Sequence, residues 1–443
     1  RNLGARILSE ANDLKRTSES LAEELGYDHE EIERVISGES DLKTIVGVIH
    51  DMVRIYPVSL ADLWVEQDDT DGGVKVVRAS NSKDSSRIFE RLNRTGLTSQ
   101  YYEYRDTAMS KMAPFRPEWI RQLRIVTDAD PNNGDVAYNH GHLMHQMTFF
   151  VGPVNFYWEV EEQRHCAELD TGDSNYITPF VPHSFTSRVS NNLGLIVAVT
   201  YGGEVRRSLA DFRHIKAEDA ESLAADPRRI GRGFAKRLAR YAASESMSTA
   251  QVLERLTFAG ITKERACSLM SEGEPTAEEI EVAANALHVR PSDMTVARMS
   301  PEEEVVVHKR SQAGRLYPDD GEPTYEFREL ARTKHQPDVK GLDVSVIGKG
   351  RSEIRHGLHE YVYNYGEAAL NICWDNNRTV LLAPGDSAYV KPFISHSFEI
   401  IDATGQLVLI RIPGGLNGSV LDEFSTFSPM GRSRVIEESK RWF

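Results

Sequence analysis

The stretch NHGHLMHQMTFFVG, Asn139 to Gly152, carries side chains of the types that bind a transition metal. His140 and His142 offer imidazole nitrogens and Gln146 a carboxamide oxygen, and a further imidazole, His183, follows in FVPHSF. Read as an extended strand, positions i, i+2 and i+6 share a face. His140, His142 and Gln146 are therefore expected to point together, with His145 on the opposite side. Two imidazoles and one oxygen donor on one face, with coordination positions left open, make a facial site of the kind that holds Fe(II) for oxygen chemistry. The expected ligands are His142, Gln146 and His183, with His140 open as an addition. A glutamine where such sites carry a carboxylate leaves the metal one charge more positive.

These residues sit in a chain that is written twice. YYEYRDTA (Tyr101–Ala108) is echoed by TYEFRELA (Thr324–Ala331), and TGDSNYITPFVPHSF (Thr171–Phe185) by PGDSAYVKPFISHSF (Pro384–Phe398). Between them HLMHQMTFFVG is echoed by HGLHEYVYNYG, at a shift of about 214 residues. Each copy is preceded by a segment that reads helix, glycine turn, helix, with Gly26 and Gly260 at matching places and Leu14, Leu21 and Leu25 at helical spacing. Alternating runs such as MTFFVGPVNFYWEV and LGLIVAVTYGG, punctuated by glycine–aspartate turns, read as short antiparallel strands. The expected class is α+β, a tandem repeat of a helix-turn-helix-type unit plus a jelly-roll barrel. The expected domains are 1–75 (helical), 76–215 (catalytic barrel), 216–300 (helical) and 301–443 (a second, degenerate barrel). The spacing HxHxxxQ followed by PxxxH resembles the two metal motifs of the cupin barrels.

Taken together, these motifs resemble the non-haem iron phosphonate oxygenases, which combine helix-turn-helix units with cupins. NHGH resembles the family's Asn-x-Gly-His, which implies that Asn139 contacts the phosphonate and His142 binds iron. The resemblance carries the remaining ligands to Gln146 and His183, the latter also beside the substrate. YYEY resembles the tyrosine cluster near the substrate, implying Tyr101, Tyr102 and Tyr104. Lys15 matches a helical-domain lysine that reaches a barrel, often that of another subunit, and Arg94 in RTGL matches a phosphonate-binding arginine. Lysine, arginine, amide and phenol groups are the donors a compact anion needs. A two-histidine, one-glutamine set implies conversion of 2-hydroxyethylphosphonate and O2 to methylphosphonate, the other carbon leaving as bicarbonate or CO2, with Gln146, Tyr104 and Lys15 acting in catalysis. Cleavage to hydroxymethylphosphonate and formate is the alternative. The family also implies a homo-oligomer, a tetramer or dimer.

The second copy keeps His356, Glu360 and His396, a two-histidine, one-carboxylate set. It puts Glu353 at the place of Asn139, Phe327 at that of Tyr104 and Thr249 at that of Lys15. A carboxylate repels a phosphonate and two donors are lost, so the second barrel reads as structural. At 443 residues, 40% hydrophobic and 27% charged, the chain has the composition of a soluble multidomain protein. A net charge of −15 argues against a general binder of nucleic acid or anionic membrane. A cupin-type transcriptional regulator is the rival from another class. Against it, the stretch SESLAEELGYDHEEIERVISGES sets Glu19, Glu23, Glu24, Asp28, Glu30, Glu31, Glu33 and Glu39 against Arg34 alone. Cys166, Cys267 and Cys373 are far apart, and no apolar run approaches the roughly 20 residues of a membrane span. A cytoplasmic location is expected.

Overall fold

The computed structural model describes residues 2–224, 228–298, 303–375 and 378–442. Five helices between Asn2 and Leu63 close on one apolar core that includes Ile7, Leu21, Ile32, Val48 and Met52. Local signals set their ends: Thr17 caps helix Ser18–Leu25 by accepting from the Ser20 amide, and Gly26, at φ 78°, terminates it in the left-handed region. A second helical group, Ile230–Met294, closes on Phe234, Leu238, Leu256 and Leu269. None of the described helices is long and apolar enough to cross a membrane.

The strands form two seven-stranded and two three-stranded antiparallel sheets. The first large sheet runs, edge to edge, through 305–308, 174–177, 145–151, 195–201, 115–122, 98–106 and 87–92. The second runs through 74–77, 387–390, 359–364, 405–412, 340–346, 325–329 and 315–317, the same order one repeat later. Small sheets of 163–169, 154–160 and 183–187, and of 378–382, 370–374 and 396–400, accompany them.

The first strand of each large sheet comes from the other half of the chain. Val74–Val77 pairs with Ser387–Val390, and Val305–His308 pairs with Ser174–Ile177. The boundary expected at 75/76 falls inside a crossing strand, that expected at 300/301 lies outside the described residues, and neither sheet is one contiguous segment. Each crossing strand is held by the aspartate of a glycine–aspartate turn. Asp173 accepts from the Arg310 amide and pairs with Lys309, both at 2.8 Å. Asp386 accepts from the Ala79 amide and pairs with Arg78, again at 2.8 Å, and takes the Ala383 amide as well. The next residue repeats the symmetry: Ser174 Oγ accepts from Ala331 N, and Ser387 Oγ from Ala108 N. A shared core of Phe115, Trp119, Phe149, Tyr361, Tyr389 and Ile410 fills the space between the halves. Because Asp386 is buried and satisfies two backbone donors, Asp386→Ala should lower stability by about 2–3 kcal/mol. Urea unfolding followed by tryptophan fluorescence measures this, and an unchanged midpoint would show that the exchanged strand is held without its aspartate.

Candidate metal centre

The strand bearing Gln146 begins only at His145, and residues 139–144 form a loop. Strand parity therefore does not govern His140 and His142. Gly141, at φ 70°, turns the chain so tightly that a Cβ there would lie 2.4 Å from the Phe180 carbonyl carbon. The turn leaves His140 exposed, whereas His142 lines a cavity of about 260 Å³ together with Asn139, Gln146 and His183. Asn139 fastens the loop to the strand His183–Ser187. Its amide donates to the His183 carbonyl at 3.0 Å, and its Oδ1 accepts from the amides of Gly141 and His183, each at 2.9 Å. The rings of His142 and His183 stand nearly perpendicular with centroids 5.3 Å apart.

The hydrogen bonds behind the two imidazoles fix which nitrogen faces the cavity. His142 Nδ1 lies 3.0 Å from the Met144 carbonyl and His183 Nδ1 2.8 Å from the Val181 carbonyl. A carbonyl only accepts, so both Nδ1 atoms carry the proton and both Nε2 lone pairs face inward. Asn139 Nδ2 donates to the His183 Nε2 lone pair at 3.0 Å. Burial lowers the His183 pKa to about 4, with the Val181 carbonyl opposing and His142 adding to the shift, so the ring is neutral at pH 7. Gln146 is buried; its Nε2 donates to Thr148 Oγ1 at 2.9 Å, which turns Oε1 to within 3.3 Å of His142 Nε2. The amide oxygen and the two Nε2 atoms thus line one part of the cavity. Two imidazoles and one amide oxygen form a donor set that suits a divalent first-row metal.

The other expected residues are spread more widely. Tyr102 and Tyr104 line the cavity, but Tyr101 is fully buried beneath it. A register shift between Phe89 and Glu90 leaves Tyr101 as an extra residue in its strand, so Tyr101 and Tyr102 both turn inward to Ser184 Oγ, at 2.8 and 3.3 Å. Arg94 does not reach the cavity: it is exposed and pairs with Asp135 at 3.2 Å. Lys15 is also away from this cavity, exposed in the turn after helix Asn2–Asp13. His145 is stacked on Tyr176 and Tyr201 and bonded to the Tyr176 hydroxyl at 2.7 Å, a packing role.

Three charged cavity residues were not expected from the sequence: Arg91, Arg116 and Glu118. Their signal was alternation. Arg91 shares strand parity with Phe89, whose ring lies 4.8 Å from that of Tyr104, and Arg116 and Glu118 share a parity in the strand Phe115–Gln122. Burial raises the Glu118 pKa, and burial also raises that of Tyr104, aided by Glu118 and opposed by Arg91. The Tyr104 phenol is therefore a hydrogen-bond donor across the neutral range. The cavity thus combines two guanidinium groups, two phenols and an amide beside a three-donor metal set.

No family model matches the chain. Methylphosphonate synthase of Nitrosopumilus maritimus is 37% identical over 453 residues, which span 99% of this chain and 95% of that protein. The (S)-2-hydroxypropylphosphonic acid epoxidase of Streptomyces wedmorensis is 28% identical over 102 residues, 23% of this chain and 49% of that enzyme. Among solved structures, Streptomyces albus 2-hydroxyethylphosphonate dioxygenase (HEPD), with 2-hydroxyethylphosphonate and Fe(II) bound, matches with a TM-score of 0.86 at 32% identity. That match covers 100% of this chain and 98% of the other. Similarity of this extent, on a chain that brings two imidazoles and an oxygen donor together in a cavity lined by two arginines, places the protein in the family of non-haem iron phosphonate oxygenases.

Proposed function

We propose that this chain converts 2-hydroxyethylphosphonate and O2 to methylphosphonate and bicarbonate at an Fe(II) ion held by His142, Gln146 and His183. The observation that carries this reading is the neutral Gln146 in the ligand set, turned toward His142 by Thr148. The 37% identity to a methylphosphonate synthase along nearly the whole chain supports it. In the same reading each large sheet and its small companion make a cupin-type barrel, and each helical group is a helix-turn-helix-type unit.

Iron bound there supplies O2 activation and a Lewis-acid anchor for the substrate's oxygens. The chain's own residues place the anion. The Asn139 amide, the phenols of Tyr102 and Tyr104 and the Arg91 guanidinium all line the cavity and donate to phosphonate oxygens. Arg116 adds a second positive charge opposite the substrate's negative one. Holding the substrate in one orientation beside the ligand set is a large share of the rate enhancement. Atoms balance without a further reactant: 2-hydroxyethylphosphonate plus O2 equals methylphosphonate plus carbonic acid, and the departing carbon supplies the electrons. Lys15, exposed and remote from its own cavity, serves a neighbouring subunit of a homo-oligomer in this reading.

The whole-chain likeness to a 2-hydroxyethylphosphonate dioxygenase favours one second reading, in which the products are hydroxymethylphosphonate and formate. Phosphorus NMR after aerobic turnover of the Fe(II)-loaded enzyme separates the two. A methyl-coupled methylphosphonate signal is expected, and a hydroxymethylphosphonate signal alone would reject the proposal. Gln146→Glu should retain one iron per chain while shifting product toward hydroxymethylphosphonate, read in the same spectra. Loss of one charge-assisted contact in Arg91→Ala should raise KM for the phosphonate ~10- to 100-fold. Arg94→Ala, which touches only Asp135 and solvent, should leave KM unchanged in steady-state oxygen uptake.

A further inference from the structure

The second half keeps a complete set of metal-ligating side chains, yet the set is drawn in on itself. Glu360 is fully buried, with Oε1 2.8 Å from His396 Nε2 and Oε2 3.0 Å from His356 Nε2. His396 Nδ1 lies 3.0 Å from the Ile394 carbonyl, the same support that the Val181 carbonyl gives His183. Phe393, at φ 64°, repeats the left-handed turn of Phe180, and its amide bonds to the His356 carbonyl as that of Phe180 bonds to His142. A surface cleft of about 500 Å³, lined by Arg351, Glu353 and Ser395, reaches His396. The scaffold of a facial metal site is therefore intact, but among the described residues no group of three or more His, Cys, Asp or Glu is arranged to hold an ion.

One residue accounts for the difference. Arg411 lies directly across the ladder from Glu360, whereas Thr200 lies across from Gln146 in the first half. Arg411 Nε donates to Glu360 Oε2, the oxygen that also faces His356. A buried carboxylate requires a positive partner, and the guanidinium supplies it. The fit is incomplete: Arg411 Nη2 is buried with no acceptor, so charge rather than a full set of hydrogen bonds holds the side chain there. The two halves thus carry matched pairs, a neutral amide opposite a neutral hydroxyl and an acid opposite a base.

We propose that Arg411 is an internal cation standing where a metal would bind, and that it alone silences a second site for a divalent ion of the Fe(II), Co(II) or Mn(II) type at His356, Glu360 and His396. Removing the guanidinium leaves two imidazole nitrogens and one carboxylate on a preformed frame, a set with the ligand preferences of those ions. With Arg411 in place, the chain carries one metal site, not two.

The test uses Co(II) alone, counted by metal analysis after desalting of the full-length chain. The His142→Ala/His183→Ala variant lacks the first site, which separates this proposal from the assignment of that site. It should bind no Co(II). Adding Arg411→Thr should bring binding to one equivalent per chain, and adding His356→Ala/His396→Ala to that variant should abolish it. One equivalent bound while Arg411 is present would overturn the proposal, as would none bound by the folded Arg411→Thr variant. If Arg411→Thr weakens the fold, thermal unfolding gives a second reading. Co(II) in excess should raise the Tm of the variant containing Arg411→Thr but not of the version that also carries His356→Ala/His396→Ala. No Co(II)-dependent rise would also refute it.

Discussion

The exchange of edge strands between the two halves is the constraint on which the rest of the structure depends. Ser174–Ile177 lies between the strand of Gln146 and the incoming Val305–His308, with Gln146 opposite Ile177. Gln146 is thus held in a sheet whose edge is closed by residues from the other half of the chain. An edge strand left open would expose unpaired amides and carbonyls; here the exchange pairs them, and Asp173 and Asp386 secure each crossing with a buried carboxylate. The frame that results is stiff enough for a loop, residues 139–144, to carry metal-site residues. Asn139 and Gly141 tie that loop to the His183 strand and to Phe180 rather than leaving it to solvent.

The two halves bury similar ligand sets and meet the electrostatic cost differently. In the first, His183 is kept uncharged by burial, Gln146 carries no charge, and Thr148 and Asn175 continue the polar floor. The corresponding positions in the second half are Val362 and Ala388, so Glu360 stands on an apolar floor. Burial alone would push its pKa up, but Arg411, reinforced by His396 and His356, draws it well below the usual carboxylate range. One half meets the cost with an uncharged oxygen donor, and the other with an internal ion pair.

Much of this was legible in the residues. The duplication, the glycine–aspartate turns and the set His142, Gln146 and His183 follow from spacing and type, and Asn139 follows from the company it keeps. The failures have physical causes. A period of two placed His140 beside His142, but one left-handed glycine breaks that period. Arg94 was carried over from the resemblance of RTGL, yet it lies beyond the strand Arg87–Leu92 and pairs with Asp135, whereas Arg91 within that strand lines the cavity. Strand exchange is invisible to local pattern, because a valine-rich strand reads the same whichever sheet receives it. Arg411 was overlooked for a related reason: its importance lies in what it faces across a ladder, some fifty residues from Glu360.

The crossed strands carry a consequence for how such a chain is assembled. A half bearing the same segments as a free polypeptide could close its sheet only by trading strands with a second copy. The present molecule has the strand connectivity of such a swapped dimer within one covalent chain. Fusion removes the symmetry that would force both partners to keep the same chemistry. One can specialise in turnover while its sibling, relieved of that task, persists as the brace without which the working half has an unfinished edge.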